Sequence, residues 1–70
     1  MYRLLIKEYR VLKNYTQEEL AGKLGISRKH LSAIERGERD VKFSLIVKIA
    51  ETLNIPLLDL IEKVNDETNK

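Results

Sequence analysis

The sequence predicts an all-α fold, a compact bundle of five short helices, and three observations predict it. Apolar residues recur at steps of three and four along most of the 70-residue chain, a spacing that gathers them on one face of a helix. Helix-stopping residues follow each such segment: Asn14, Gly25, Gly37 and the run Asn54-Ile55-Pro56. No segment alternates apolar and polar residues with the period of two that marks a half-buried strand.

The first helix is expected over about residues 2–13, with Leu5, Ile6, Tyr9 and Leu12 facing inward. Asn14, which tolerates the left-handed conformation, ends it. Thr16-Gln17-Glu18-Glu19 has the form of a capping box, in which the Thr16 hydroxyl accepts from the Glu19 N–H while the Glu19 carboxylate accepts from the Thr16 N–H. Tyr15 ahead of it is placed to pack on Leu20. A second helix then runs to about Leu24, burying Leu20, Ala21 and Leu24, and stops at Gly25. Ile26 is the buried turn residue, and Ser27 caps a third helix that runs to about Arg36 and ends at Gly37. A polar loop over 38–42 leads to a fourth helix from Phe43 or Ser44 to Leu53, with Ile46, Ile49, Ala50 and Leu53 inward and Val47 at the edge. Pro56 opens a fifth short helix carrying Leu57, Leu58, Leu60, Ile61 and Val64. Residues 1–64 thus form one domain, and 65–70, which hold no apolar residue, form a flexible acidic and polar tail.

Composition narrows the function. Hydrophobic residues make up 43% and charged ones 34%, a globular balance. With no Cys and a single His, His30, the chain offers neither a disulfide framework nor a zinc site. It also lacks a convergent pair of inward carboxylates, so nucleophilic and acid–base catalysis are excluded and no metal or cofactor is expected. No apolar run approaches the roughly 18 residues of a membrane span, and no signal-peptide pattern opens the chain. A cytoplasmic location is expected, which the absence of Cys fits. The net charge of +2 is uneven: residues 1–48 hold 11 Lys and Arg against 6 Asp and Glu, whereas 49–70 hold 2 against 5. That asymmetry points to a negatively charged partner on one side.

The stretch 17–36 carries the chemistry. Two helices joined by a turn of about four residues containing Gly form a helix-turn-helix unit. Ala21 is small because the second helix crosses the first closely there, and Leu20, Ile26, Leu31 and Ile34 lock the two together. The third helix then has a row left over. Arg28, Ser32 and Arg36 stand four apart on one stripe, with Lys29 and Ala33 on the next. An isolated Arg merely solubilises a helix, but a donor-rich row after such a turn suits the major groove. There Arg and Lys bond the acceptor edge of guanine and an Ala methyl touches that of thymine.

Ile6-Lys7-Glu8-Tyr9-Arg10, Thr16-Gln17-Glu18-Glu19-Leu20-Ala21, Leu24-Gly25-Ile26-Ser27, Leu31-Ser32 and Ile34-Glu35-Arg36-Gly37 together resemble the Cro/repressor-type (XRE) helix-turn-helix family. Ile49-Ala50, Leu53 and Ile55-Pro56-Leu57 continue the likeness, which covers about residues 5–61. The resemblance implies a five-helix, lambda-repressor-like domain that binds palindromic double-stranded operators as a homodimer and regulates transcription, most often as a repressor. It makes Arg28, Lys29 and Ser32 the principal base readers, with His30 and Ala33 as further candidates. Gln17 contacts phosphate or the first recognition side chain, while Thr16, Arg36, Lys42 and Ser44 lie near the sugar-phosphate backbone. Arg10 and Glu35 match a partly buried structural ion pair, whose breaking costs roughly 3–5 kcal/mol.

Departures from the pattern are informative. Asp40-Val41 stands where the family often has Pro, a variant found among controllers of restriction–modification systems. Lys42 occupies a position where a small capping residue is common. Leu58 stands where the family places a polar residue, so Leu58 with Leu57 and Ile61 is the expected dimer interface. A protein-interaction module using that helix is the alternative reading, though it leaves the row on the third helix unexplained. No small-molecule effector is expected.

Overall fold

A computed structural model describes residues 2–64. The order of elements is strand β1 (Tyr2–Leu4), helices α1 (Ile6–Leu12), α2 (Gln17–Leu24), α3 (Arg28–Glu35) and α4 (Phe43–Leu53), a 3₁₀ helix (Leu57–Leu60) and strand β2 (Ile61–Lys63). The fold class therefore needs correction. Among the described residues there are four α-helices rather than five, and the fold is not strictly all-α. The ends of the predicted first and fifth helices instead pair as a two-stranded antiparallel sheet, Tyr2 opposite Lys63, Arg3 opposite Glu62 and Leu4 opposite Ile61.

The reason lies in the pairing partner. A three-residue strand has no legible period, and the hydrogen bonds that make it a strand come from the far end of the chain. Leu5 N–H extends the link by donating to the Leu60 carbonyl at 2.8 Å. Pro56 caps the 3₁₀ helix from extended backbone, φ −60° and ψ 141°. The tight turn then gives way at Ile61, whose φ of −109° and ψ of 125° suit a β-branched residue. Val64, predicted on the fifth helix, lies beyond β2. Residues 65–70, the expected tail, fall outside the described residues.

Leu12, predicted to face inward, lies on the solvent side of α1. From Ile6, which is buried, the inward positions are Tyr9 and Arg10; Leu12, six residues on, falls about 120° away and is 68% exposed. Ile6 joins Leu20, Ala21, Leu24, Leu31, Ile34, Ile49, Ala50, Leu53 and Leu60 in one core, as the periodicity of the middle helices predicts. Ile26, Ile46 and Val41 pack on it from the side, half-buried.

Helix ends follow their predicted stops closely. Thr16 Oγ1 accepts from Glu19 N at 3.0 Å, and Thr16 N donates to Glu19 Oε1 at 2.8 Å, completing the capping box of α2. Gly25 closes α2 at φ 75°, a conformation that favours glycine, and Ile26 N–H then reaches the Ala21 carbonyl at 3.0 Å. Ser27 Oγ accepts from His30 N at 3.0 Å and starts α3. Asn14 and Asn54 adopt φ 64° and 57° and close α1 and α4 in the same way. The outcome is an α2–turn–α3 unit whose helix ends are capped and whose turn is closed by the Ile26 N–H bond to the Ala21 carbonyl.

Candidate nucleic-acid interface

The helix α3 presents its polar row to solvent. Arg28, Lys29 and Arg36 are exposed, whereas Ser32, Ala33 and His30 are half-buried at its flank. Its one acid, Glu35, is turned the other way, with a side chain only 3% exposed. Arg10 of α1, itself buried, meets that carboxylate through Nε at 2.7 Å and Nη2 at 3.4 Å, and gives Nη1 to the Tyr15 carbonyl at 2.8 Å. The Arg10–Glu35 pair predicted from the family resemblance is present. Its effect on electrostatics is direct: the one carboxylate of α3 is neutralised inside, leaving the outer face cationic.

Glu35 has a further partner. Gln17 Nε2 donates to Glu35 Oε1 at 2.9 Å, so the amide oxygen of Gln17 points the other way and accepts from Arg28 Nη1 at 3.3 Å. Of the two roles left open for Gln17, the free protein shows the contact to the first recognition side chain. A run of hydrogen bonds thus ties α1, the end of α3, the start of α2 and the start of α3.

At the other end of the row, Arg36 donates from Nε and Nη2 to the two carboxylate oxygens of Glu38, at 2.8 and 3.0 Å, and from Nη1 to Ser32 Oγ at 2.5 Å. The hydrogen bonds and charge of Arg36 hold the Glu38 carboxyl below its usual range, so it is ionised at neutral pH. From the sequence Glu38, like Asp40, reads as a solvated loop acid, and its bond to Arg36 is added by the structure. Its only signal was an acid two residues beyond the last arginine of the row, and the reach of that acid back across the Gly37 turn is a property of the fold.

The loop after α3 brings more basic groups to this side. A shallow groove of about 410 Å³ is walled by Lys29, His30, Ala33 and Arg36 on the helix and by Glu38 and Arg39 of the loop. Another, of about 360 Å³, gathers His30 with Arg39, Lys42 and Ser44. Arg39 lies outside the row that helical spacing defines, and its signal in the sequence is a cation between Arg36 and Lys42. Lys42 caps α4 without a side-chain hydrogen bond, so no capping side chain meets the first backbone N–H groups of this helix, while Leu45 N–H donates to the Lys42 carbonyl at 2.9 Å. The Thr16 oxygen is engaged by the capping box, with its side chain at the surface. Among the described residues no group of His, Cys, Asp and Glu is arranged to hold a metal ion, and no helix is long and apolar enough to cross a membrane.

A helix-turn-helix family model matches residues 6–60. The chain belongs to the XRE-type helix-turn-helix family. Similarity to individual members of this family of transcriptional regulators runs nearly end to end. The chain is 44% identical over 62 residues to an uncharacterized HTH-type transcriptional regulator, MJ0272 of Methanocaldococcus jannaschii, which covers 89% of this chain and 94% of that one. Its fold is similar to that of the restriction–modification controller protein C.AhdI of Aeromonas hydrophila, with TM-score 0.74 and 36% identity over 79% of this chain and 83% of that one. It is also similar to SinR, a master regulator for biofilm formation solved in complex with DNA, with TM-score 0.71 and 34% identity over 79% of this chain and 89% of that one.

The three residues expected at a dimer interface are placed differently from one another. Leu58 is 79% exposed, Leu57 packs against the core, and Ile61 sits half-buried in β2 opposite Leu4. Of the three, Leu58 alone is a fully presented apolar side chain.

Proposed function

We propose that this XRE-type protein binds double-stranded DNA sequence-specifically by placing α3 in the major groove, and that it represses transcription in the cytoplasm. One observation carries the reading: the outer face of α3 is cationic and open, because its single carboxylate is buried against Arg10. Arg28, Lys29 and Ser32 read base edges, with His30 and Ala33 at the margin of the row. Gln17 orients Arg28. Thr16, Lys42 and Ser44, with the open N-terminus of α4, hold the sugar-phosphate backbone, and the domain over residues 1–64 does this as a unit. Two copies meet through Leu58, supported by Leu57 and Ile61, and read a palindrome whose half-sites lie about one helical turn apart. The similarity to SinR, solved with DNA, and to the controller C.AhdI supports this reading.

The test compares two charge changes on a duplex selected from a random pool and on a scrambled one. Arg28→Glu is expected to reduce discrimination between the two by about 1–3 kcal/mol. Lys42→Gln is expected to weaken both alike and to flatten the salt dependence by about 0.9 in log–log slope per subunit. Identical effects of both substitutions on both duplexes would refute the assignment of base and backbone contacts.

A further inference from the structure

The bonding of Arg36 sets it apart from the other cations of the row. We infer that Arg36 is a positioning residue held by Glu38, and that through it the Ser32 hydroxyl is committed to donating, so Ser32 selects a base that offers an acceptor. The inference rests on the DNA-reading proposal above and deepens it at one position.

A serine hydroxyl is ambiguous by itself, since it donates once and accepts twice. Here its oxygen accepts from Arg36 Nη1 at 2.5 Å. The guanidinium takes one lone pair of Oγ, and its positive charge disfavours a second N–H donor at the other, so the O–H is the group left for a base edge. Arg36 keeps this position because its other two nitrogens, Nε and Nη2, each donate to an oxygen of Glu38. Arg36 and Ser32 lie four residues apart on the same stripe as Arg28, so the Ser32 hydroxyl stands on the face that bears Arg28. In the major groove a donor is matched by guanine N7 and O6, adenine N7 or thymine O4, and mismatched by the amino group of cytosine. Glu38 has a second consequence. The Glu38 carboxylate offsets the charge of Arg36, so the pairing weakens the attraction of Arg36 for phosphate on any sequence.

Sequences selected from a random duplex pool are compared for the wild type, Ser32→Ala, Glu38→Gln and Asp40→Asn, the last removing an equal charge two residues further along the loop. Ser32→Ala and Glu38→Gln are expected to relax the same base position by about fivefold or more, and Asp40→Asn to leave it selected. Freed from its carboxylate, Arg36 in Glu38→Gln should also steepen the salt dependence by about 0.9 per subunit. A Glu38→Gln protein that retains the wild-type preference at the position Ser32→Ala relaxes overturns the inference alone, as does a Ser32→Ala protein with an unchanged selected sequence. A wild type that selects no sequence overturns the DNA-reading proposal and this inference with it.

Discussion

Glu35 concentrates more of the architecture than any other single side chain of the site. Buried and singly charged, it accepts from Arg10 and from Gln17, and those bonds fix α1 and the start of α2 against the end of α3. Replacing it with Ala leaves the Arg10 guanidinium buried without its partner. Urea unfolding of Glu35→Ala is therefore expected to show a loss of roughly 3–5 kcal/mol, because an uncompensated buried charge is far costlier than a missing surface pair. A loss below about 1 kcal/mol would mean that the pair behaves as a solvated one. Glu38 makes the contrast. Its pairing with Arg36 is fully solvent-exposed, so its value lies in orientation rather than stability. The bond to Arg36 depresses the Glu38 pKa, so the pair is intact at neutral pH and is lost only as pH falls through that lowered value. An NMR titration should place the Glu38 midpoint below the ordinary glutamate range, and Arg36→Ala should return it upward; an unchanged midpoint would contradict the pairing.

Among the elements, those bounded by single-residue signals were legible in the sequence, and those created by distant pairing were not. The capping box at Thr16 and Glu19, the Ser27 cap and the stops at Asn14, Gly25 and Gly37 each act within a few residues, so local chemistry dictates them. The helix-turn-helix unit and its outward row could be read for that reason. The sheet could not. Its two strands of three residues join Arg3 to Glu62, 59 residues apart, and nothing local distinguishes Leu4-Leu5-Ile6 or Leu60-Ile61 from ends of apolar helices. Gln17's two contacts were open in the sequence because the choice depends on where Glu35 lies. The capping box offers a check at this scale: Thr16→Ala should destabilise the protein by about 1 kcal/mol, measured as a lower midpoint in denaturant with the slope unchanged. No change in the midpoint would show that the end of α2 is held by packing instead.

At the scale of the whole molecule, the charge asymmetry and the exposed Leu58 set the expected assembly. A domain of this size has a small core, and a subunit contact adds to its stability by mass action. Because Leu58 is exposed, Leu58→Glu should leave the monomer folded while shifting sedimentation toward the monomeric species and removing cooperative binding to the palindrome. An unaltered sedimentation profile would contradict the proposed contact between copies through Leu58. Arg3 and Glu62 join the two described ends of the chain across the sheet, and Leu58 lies in the 3₁₀ helix that precedes β2.

The central claim is geometric: the face of α3 bearing Arg28, Lys29 and Ser32 meets the nucleic acid. Titrating a selected duplex into isotopically labelled protein and following backbone amide shifts tests it most directly. The largest changes are expected over residues 27–36, with a second group at 16–17 and 42–44, and little at β1 or β2. Changes concentrated at 57–63 instead, with 27–36 unmoved, would contradict the account.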